Sequence, residues 1–211
     1  MFVKICGITR PEDADLAVEL GASALGFIFW PGSPRYISCE SAAEIVRRNA
    51  DRVQSVGVFV DQPPEEVMQI MDVVGLDIAQ LHGSESPEYC RQILQRAAPA
   101  PGGRRQVIKA IGLQNGGAPM LDQYDSEMLI LIDAHDPSRY GGTGRTVNWN
   151  SAREIAATRK TILSGGLNPE NIARAVETVR PYGVDTSSGV ESAPGMKDAA
   201  RLKLFFEALN D

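Results

Sequence analysis

A chain of 211 residues that is 43% hydrophobic and 23% charged has the make-up of a soluble globular protein able to bury a core, which excludes a disordered chain. A net charge of −6 argues against broad binding to nucleic acid or anionic membranes and leaves room for a local basic pocket that takes a small anion. No run of about 18 apolar residues and no basic leader followed by an apolar stretch occurs, so no membrane association and a cytoplasmic location are expected.

The first strand is expected over Val3 to Cys6, an apolar-alternating run that ends on a thiol. A helix follows over Pro11 to Leu20, then a strand over Ala24 to Phe29 and a helix over Ser41 to Asn49. The alternation continues with a strand at Gln54 to Val60, a helix at Pro64 to Val74, a strand at Ile78 to Leu81 and a helix at Pro87 to Ala97. Residues 97–105, rich in Ala, Pro and Gly, read as a loose, mobile connection on the face away from any chemistry. Strands then fall at Gln106 to Ala110, Met128 to Asp133, Thr161 to Leu163 and Gly183 to Asp185. Helices fall at Asn150 to Ala157, Pro169 to Val179 and Met196 to Leu209. Thr9 and Asn168, each just ahead of a Pro and an acid, read as helix N-caps, and Gly21 and Gly75 as helix ends.

The mean step between strands is about 26 residues, the length of a βα unit, and successive units of that kind need a parallel sheet. Eight of them close a (βα)8 barrel, here a single catalytic domain over residues 1–211. A doubly wound open sheet is the competing architecture, but it usually carries a glycine-rich dinucleotide turn after its first strand, and Cys6-Gly7-Ile8-Thr9-Arg10 is not one.

Barrel enzymes work at the carboxyl ends of their strands. Cys6 stands there on strand one, Arg35 after strand two, Asp61 after strand three, and Gln80 with His82 at strand four. Strand six is apolar until Asp133, and a carboxylate taken out of water tends to keep its proton, which suits a general acid. Taken alone, Cys6 is more simply a buried structural cysteine, and Asp133 could merely cap its loop. Glycine-rich turns at Gly165-Gly166 and after Ser187-Ser188 follow strands seven and eight, where many barrels cradle a phosphate. Gly141-Gly142-Thr143-Gly144-Arg145 could close over a ligand. The three cysteines, Cys6, Cys39 and Cys90, show no C-x-x-C spacing and no metal-type pairing with His82 and His135, so reduced thiols and no metal are expected.

The segments Lys4-Ile5-Cys6-Gly7-Ile8-Thr9, Ser33-Pro34-Arg35-Tyr36-Ile37-Ser38, Gln80-Leu81-His82-Gly83 and Asp133 with Gly141-Gly142-Thr143-Gly144 and Trp149 carry a resemblance. So do Leu163 to Asn171 and Asp185-Thr186-Ser187-Ser188-Gly189-Val190-Glu191. Together, over nearly the whole chain, they resemble the phosphoribosylanthranilate isomerase family. The resemblance implies a (βα)8 barrel of tryptophan biosynthesis that catalyses an Amadori rearrangement of a small phosphorylated substrate without a cofactor, as a monomer or a homodimer. It also implies Cys6 as general base, Asp133 as general acid and Arg35 as the anchor of the anthranilate carboxylate. His82, Gly142, Gly144, Gly165, Gly166, Ser187 and Ser188 are its substrate-binding positions. Two departures stand out: Asn148 replaces an Asp and is expected to cap a helix equally well, and Thr186 replaces an aliphatic residue and is expected to bond within its loop.

A histidine-pathway aminoaldose isomerase would carry an Asp where Cys6 stands and a second phosphate site in the early half of the barrel, where no comparable turn occurs. A non-catalytic phosphate-binding barrel has no need of both Cys6 and Asp133, and two histidines in separate units are a poor ligand set for a metal-dependent epimerase.

Overall fold

Alternation in Val3-Lys4-Ile5-Cys6 sends successive side chains to opposite faces of a strand. Strand β1 (Phe2–Cys6) obeys it, with Val3 and Ile5 packed outward toward the helices and Lys4 and Cys6 turned inward. The computed structural model describes residues 1–96, 106–113, 121–133 and 148–210. The predicted connection at 97–105, His135 and the turn holding Gly142 and Gly144 lie outside the described residues.

Strands β2 (Ala24–Ile28), β3 (Gln54–Phe59), β4 (Ile78–Leu81), β5 (Gln106–Gly112), β6 (Leu129–Asp133), β7 (Thr161–Leu163) and β8 (Gly183–Thr186) follow β1 around a closed barrel. Every neighbouring pair is parallel, and β8 closes on β1 with Lys4 beside Asp185. The helices are α1 (Pro11–Glu19), α2 (Cys39–Arg48), α3 (Pro64–Val74), α4 (Pro87–Arg96), α5 (Trp149–Ala156), α6 (Ile172–Val179) and α7 (Ala199–Asn210). Between β5 and β6 the described residues hold a 3-10 turn, Leu121–Gln123, in place of an α-helix.

The core has two shells. Outward residues such as Phe27, Phe59, Leu81 and Ile130 pack against the helices, while Val56, Ile78, Ile108, Leu129, Leu131 and Ile162 fill the barrel interior. One step further along the strands the inward side chains include the polar Cys6, Gln80, Asp133 and Asp185 beside the apolar Ile28 and Val58, above this apolar layer.

Three local predictions change. Thr9 does not cap α1; its hydroxyl donates to the carbonyl of Gly195 at 2.5 Å, and Arg10 occupies the cap position without a side-chain bond. Asn168 accepts from the amide of Glu170 at 3.1 Å and so closes a turn ahead of α6, whose cap position is Asn171. Met196 begins no helix, because a hairpin of β9 (Glu191–Ala193) and β10 (Met196–Lys197) precedes α7. The glycine ends hold: Gly75 caps α3 in the left-handed conformation, and Gly21 takes positive φ after α1. Asn148 caps α5 by accepting from the amides of Asn150 and Ser151, and Thr186 donates to the carbonyl of Leu167 at 2.7 Å. Cys90 packs fully buried on α4, where burial pushes its thiol up to about 11. All three cysteines are free.

Beneath the loop that follows β4, Lys109 Nζ donates to Glu85 Oε2 and to the carbonyl of Gly83, both at 2.7 Å. Glu85 also accepts from the amides of Asp61 and Gly83, tying the ends of β3 and β4 together. Both side chains are buried, so truncating one leaves an uncompensated charge in the core. Glu85→Leu is expected to lower the unfolding free energy by about 3 kcal/mol, read from urea melts. Wild-type stability in that variant would remove the pair from the barrel's support.

Candidate active site

Side chains at the carboxyl ends of the strands surround a pocket of about 490 Å³. Cys6 from β1, Ile28 from β2, Val58 from β3, Gln80 from β4 and His82 just after it, Asp133 from β6, Ser164 after β7 and Asp185 from β8 all line it. Arg35 and Ser187 enter from the loops after β2 and β8. Cys6, Arg35, His82, Asp133 and Ser187, singled out in sequence, therefore share one cavity. Gly165 and Gly166 lie in the turn after β7, both with positive φ, and Ser188 opens the 3-10 turn Ser188–Val190 after β8. Asp61 is occupied elsewhere: its carboxylate accepts from the amide and hydroxyl of Ser84.

Gly7 fixes how Arg35 meets Cys6. Its φ is +74°, and a Cβ there would come within 2.6 Å of Arg35 Cδ and 3.0 Å of Ser187 Oγ. The missing side chain lets the arginine and the serine close over the end of β1. Ser187 Oγ is buried without a hydrogen-bond partner, an open donor in the pocket wall.

Arg35 is half-committed. Its Nε and Nη2 grip the Glu191 carboxylate at 2.7 to 3.1 Å, and Nη1 makes no hydrogen bond among the described residues. Lys197 Nζ completes the group, donating to Glu191 Oε1 at 2.8 Å and to the carbonyl of Cys6 at 2.6 Å. Burial opposes the charge on Glu191, but Arg35 and Lys197 outweigh it and hold the carboxyl below its ordinary range. Glu191 thus presents a planar guanidinium to the cavity with its free edge exposed.

Across the pocket, Gln80, His82 and Asp133 form a chain. Gln80 Nε2 lies 2.8 Å from His82 Nδ1, and His82 Nε2 lies 3.2 Å from Asp133 Oδ2. With the amide donating to Nδ1, the neutral ring carries its proton on Nε2 and donates to the carboxyl group. Gln80 Oε1 is a buried acceptor without a partner and faces this wall.

Sequence reasoning passed over Lys4. It is fully buried inside the barrel, with Nζ 2.9 Å from Asp185 Oδ1, while Asp185 Oδ2 accepts from Ser164 Oγ at 3.0 Å. The signal was present: Lys4 shares strand parity with Cys6, so an inward Cys6 requires an inward Lys4. Lys197 lies in the part of the β9–β10 hairpin that reads as the beginning of a helix, and Glu191, placed in the turn after strand eight, has no local sign of its partners.

No cluster of three or more metal-ligating side chains occurs among the described residues, and no described helix is long and apolar enough to cross a membrane. A thiol and a carboxyl group on opposite walls, with a free guanidinium edge between loops, can move protons on a substrate held by its anionic groups.

Residues 3–208 match the model of the family described as N-(5'phosphoribosyl)anthranilate (PRA) isomerase. An N-(5'-phosphoribosyl)anthranilate isomerase of Trichlorobacter lovleyi is 50% identical over 207 residues, covering 96% of this chain and 95% of its own. The crystal structure of the phosphoribosyl anthranilate isomerase of Thermus thermophilus superposes with a TM-score of 0.88 at 43% identity, covering 100% of this chain and 98% of its own. A further solved isomerase, in complex with reduced 1-(o-carboxyphenylamino)-1-deoxyribulose 5-phosphate, gives 0.82 at 39% identity with coverage of 100% and 98%.

Proposed function

Because the chain belongs to the N-(5'-phosphoribosyl)anthranilate isomerase family, we propose that its pocket performs the Amadori rearrangement with Cys6 as general base and Asp133 as general acid. The substrate is N-(5-phosphoribosyl)anthranilate and the product 1-(2-carboxyphenylamino)-1-deoxyribulose 5-phosphate, made in tryptophan biosynthesis. The observation that carries the assignment is that Cys6 and Asp133, on β1 and β6, line one cavity with Arg35 between the loops above them.

Asp133 gives a proton to the furanose ring oxygen, the ring opens and the anthranilate nitrogen becomes an iminium. The iminium withdraws electrons from C2, whose proton Cys6 then removes to form the enolamine, which tautomerises to the aminoketose. No oxidant or metal enters these steps, since the hydrogen lost from C2 and the one gained at C1 balance. His82 Nε2, 3.2 Å from Asp133 Oδ2, orients the carboxyl group toward the pocket. The free edge of Arg35 takes the anthranilate carboxylate. The turns holding Gly165, Gly166, Ser187 and Ser188 offer backbone amides and hydroxyls to the phosphate.

Loss of anthranilate-derived substrate fluorescence in the purified protein, together with rescue of a tryptophan auxotroph lacking this step, tests the assignment. Absence of both in a folded protein refutes it. Within this scheme Arg35→Met is expected to raise KM by about tenfold to a hundredfold with a smaller change in kcat, because a charged hydrogen bond to the bound carboxylate is lost. An unchanged KM would take the carboxylate away from Arg35.

A further inference from the structure

Cys6 needs a thiolate to act as a base, yet it sits where a thiolate is costly. It is buried, and burial is the strongest influence on the thiol, pushing it up from its ordinary value. The compensating group lies one strand step below.

Lys4 and Cys6 turn inward on β1, and the neighbouring strand β2 places Gly26 opposite Cys6. A Cβ added at Gly26 would lie 2.9 Å from Cys6 Sγ and 3.0 Å from Lys4 Nζ, so the two groups converge on the gap that the absent side chain leaves. Sulfur and nitrogen are therefore within about 6 Å, the range over which an opposite charge favours an ionised group. Asp185, from β8, holds Nζ from the far side at 2.9 Å and is itself held by Ser164.

We propose that Lys4 is a positioning residue for the reaction, the buried counter-ion of the Cys6 thiolate, and that Asp185 fixes and tempers it. The inference rests on the base role of Cys6 proposed above. Burial works against the charge of Lys4, but Asp185 and then Cys6 outweigh it, so the amine remains an ammonium throughout. Ionisation releases the Sγ proton to water, and Lys4 donates none. The thiolate then takes the C2 proton and ends as a thiol, with no change of oxidation state.

The other charges facing Cys6 are accounted for. Lys197 on β10 favours the thiolate but is paired with Glu191, as is Arg35 from the loop after β2, and Asp185 opposes it. His82 and Asp133 line the opposite part of the pocket. Of the cations, Lys4 has the largest favourable effect on Cys6, larger than the opposing one from Asp185. Removing Lys4 and removing Asp185 should accordingly act in opposite directions.

The experiment is the pH dependence of iodoacetamide alkylation, followed on the Cys6 peptide by mass spectrometry, alongside the pH profile of kcat. In Lys4→Met the alkylation midpoint is expected to rise by about one to three pH units, and at a fixed pH below it the rate to fall about tenfold or more. In Asp185→Asn the midpoint is expected to fall. The acid limb of kcat should follow the midpoint in each variant. Lys4→Met leaves Asp185 buried and unpaired, so the double variant Lys4→Met/Asp185→Asn is measured as well, with a midpoint expected between those of Lys4→Met and wild type. A midpoint that stays at the wild-type value in both folded Lys4 variants overturns the proposal, as does one that moves the same way for Lys4→Met and Asp185→Asn. Turnover by Cys6→Ala would instead remove the base role, while a shifted alkylation midpoint would still support the Lys4–Cys6 pair, so the two failures are distinguishable.

Discussion

Cys6→Ala is expected to fold as the wild type does and to retain no more than about a thousandth of its turnover, the scale of loss when a positioned general base is removed. The fold survives because the change deletes one sulfur from the rim of the barrel, not from the apolar layers beneath. Val3 and Ile5, which hold β1 to its helices, are untouched. Turnover fails because the remaining groups near the end of β1 are already committed. Lys4 is an ammonium bound to Asp185, and Lys197 donates to the carbonyl of Cys6 itself. Cys6→Ser should fail nearly as completely, since a hydroxyl in the same place is a far weaker source of anion than a thiol. Substrate fluorescence decay and thermal melts by circular dichroism measure both halves. Turnover within tenfold of wild type in a folded Cys6→Ala would end the base assignment.

What the sequence made legible follows from periodicity. A parallel barrel has one dominant pattern, a buried strand followed by an amphipathic helix, and the eight strands β1 through β8 were readable to within two residues, with a helix after each except β5. Strand ends were readable from their last residues: Asp133 closes an apolar run, and Cys6 closes the alternating run Val3-Lys4-Ile5-Cys6. Arg35, His82 and Ser187 then fell into the same pocket, since the strand order of a closed barrel leaves their loops on one face.

The unread parts depend on contacts between residues far apart in the chain. Thr9 has the spacing of a helix cap, but Gly195 brings a carbonyl within reach only once the β9–β10 hairpin folds across the mouth. The second hairpin strand, Met196–Lys197, reads as the start of α7 because two residues are too few to show a strand pattern ahead of a helical one. Its misreading concealed Lys197 and the role of Glu191 in orienting Arg35. Lys4 was concealed differently. A lysine in a strand usually marks a solvated face, and only the parity it shares with Cys6 argues against that. His82 was recognisable as a pocket residue, but its partner Asp133 is 51 positions away and no local pattern announces the bond.

Asp133→Asn tests the acid, and the chain through His82 makes its outcome specific. The substitution keeps the size of the side chain, and the amide can pair with His82 Nε2 if the ring shifts its proton to Nδ1 and Gln80 turns its open Oε1 toward it. The barrel should therefore stay folded while kcat falls by about a thousandfold, because an amide has no proton to give the furanose oxygen. The step that becomes slow differs from that in the Cys6 variants. With Asp133 changed, ring opening limits the rate, so substrate deuterated at C2 should turn over as fast as unlabelled substrate. With Cys6→Ser, removal of the C2 proton limits the rate, and the residual activity should show a primary isotope effect. His82→Ala, which removes one hydrogen bond from Asp133 and leaves the carboxyl group in place, is expected to lose about tenfold, far less than Asp133→Asn. A full isotope effect in Asp133→Asn would place the carboxyl group at the carbon rather than at the ring oxygen, and turnover near wild type would remove it from the reaction. The two walls of the pocket are then separable by measurement: in the proposed scheme the acid of β6 acts before the iminium exists, and the thiol of β1 only afterwards.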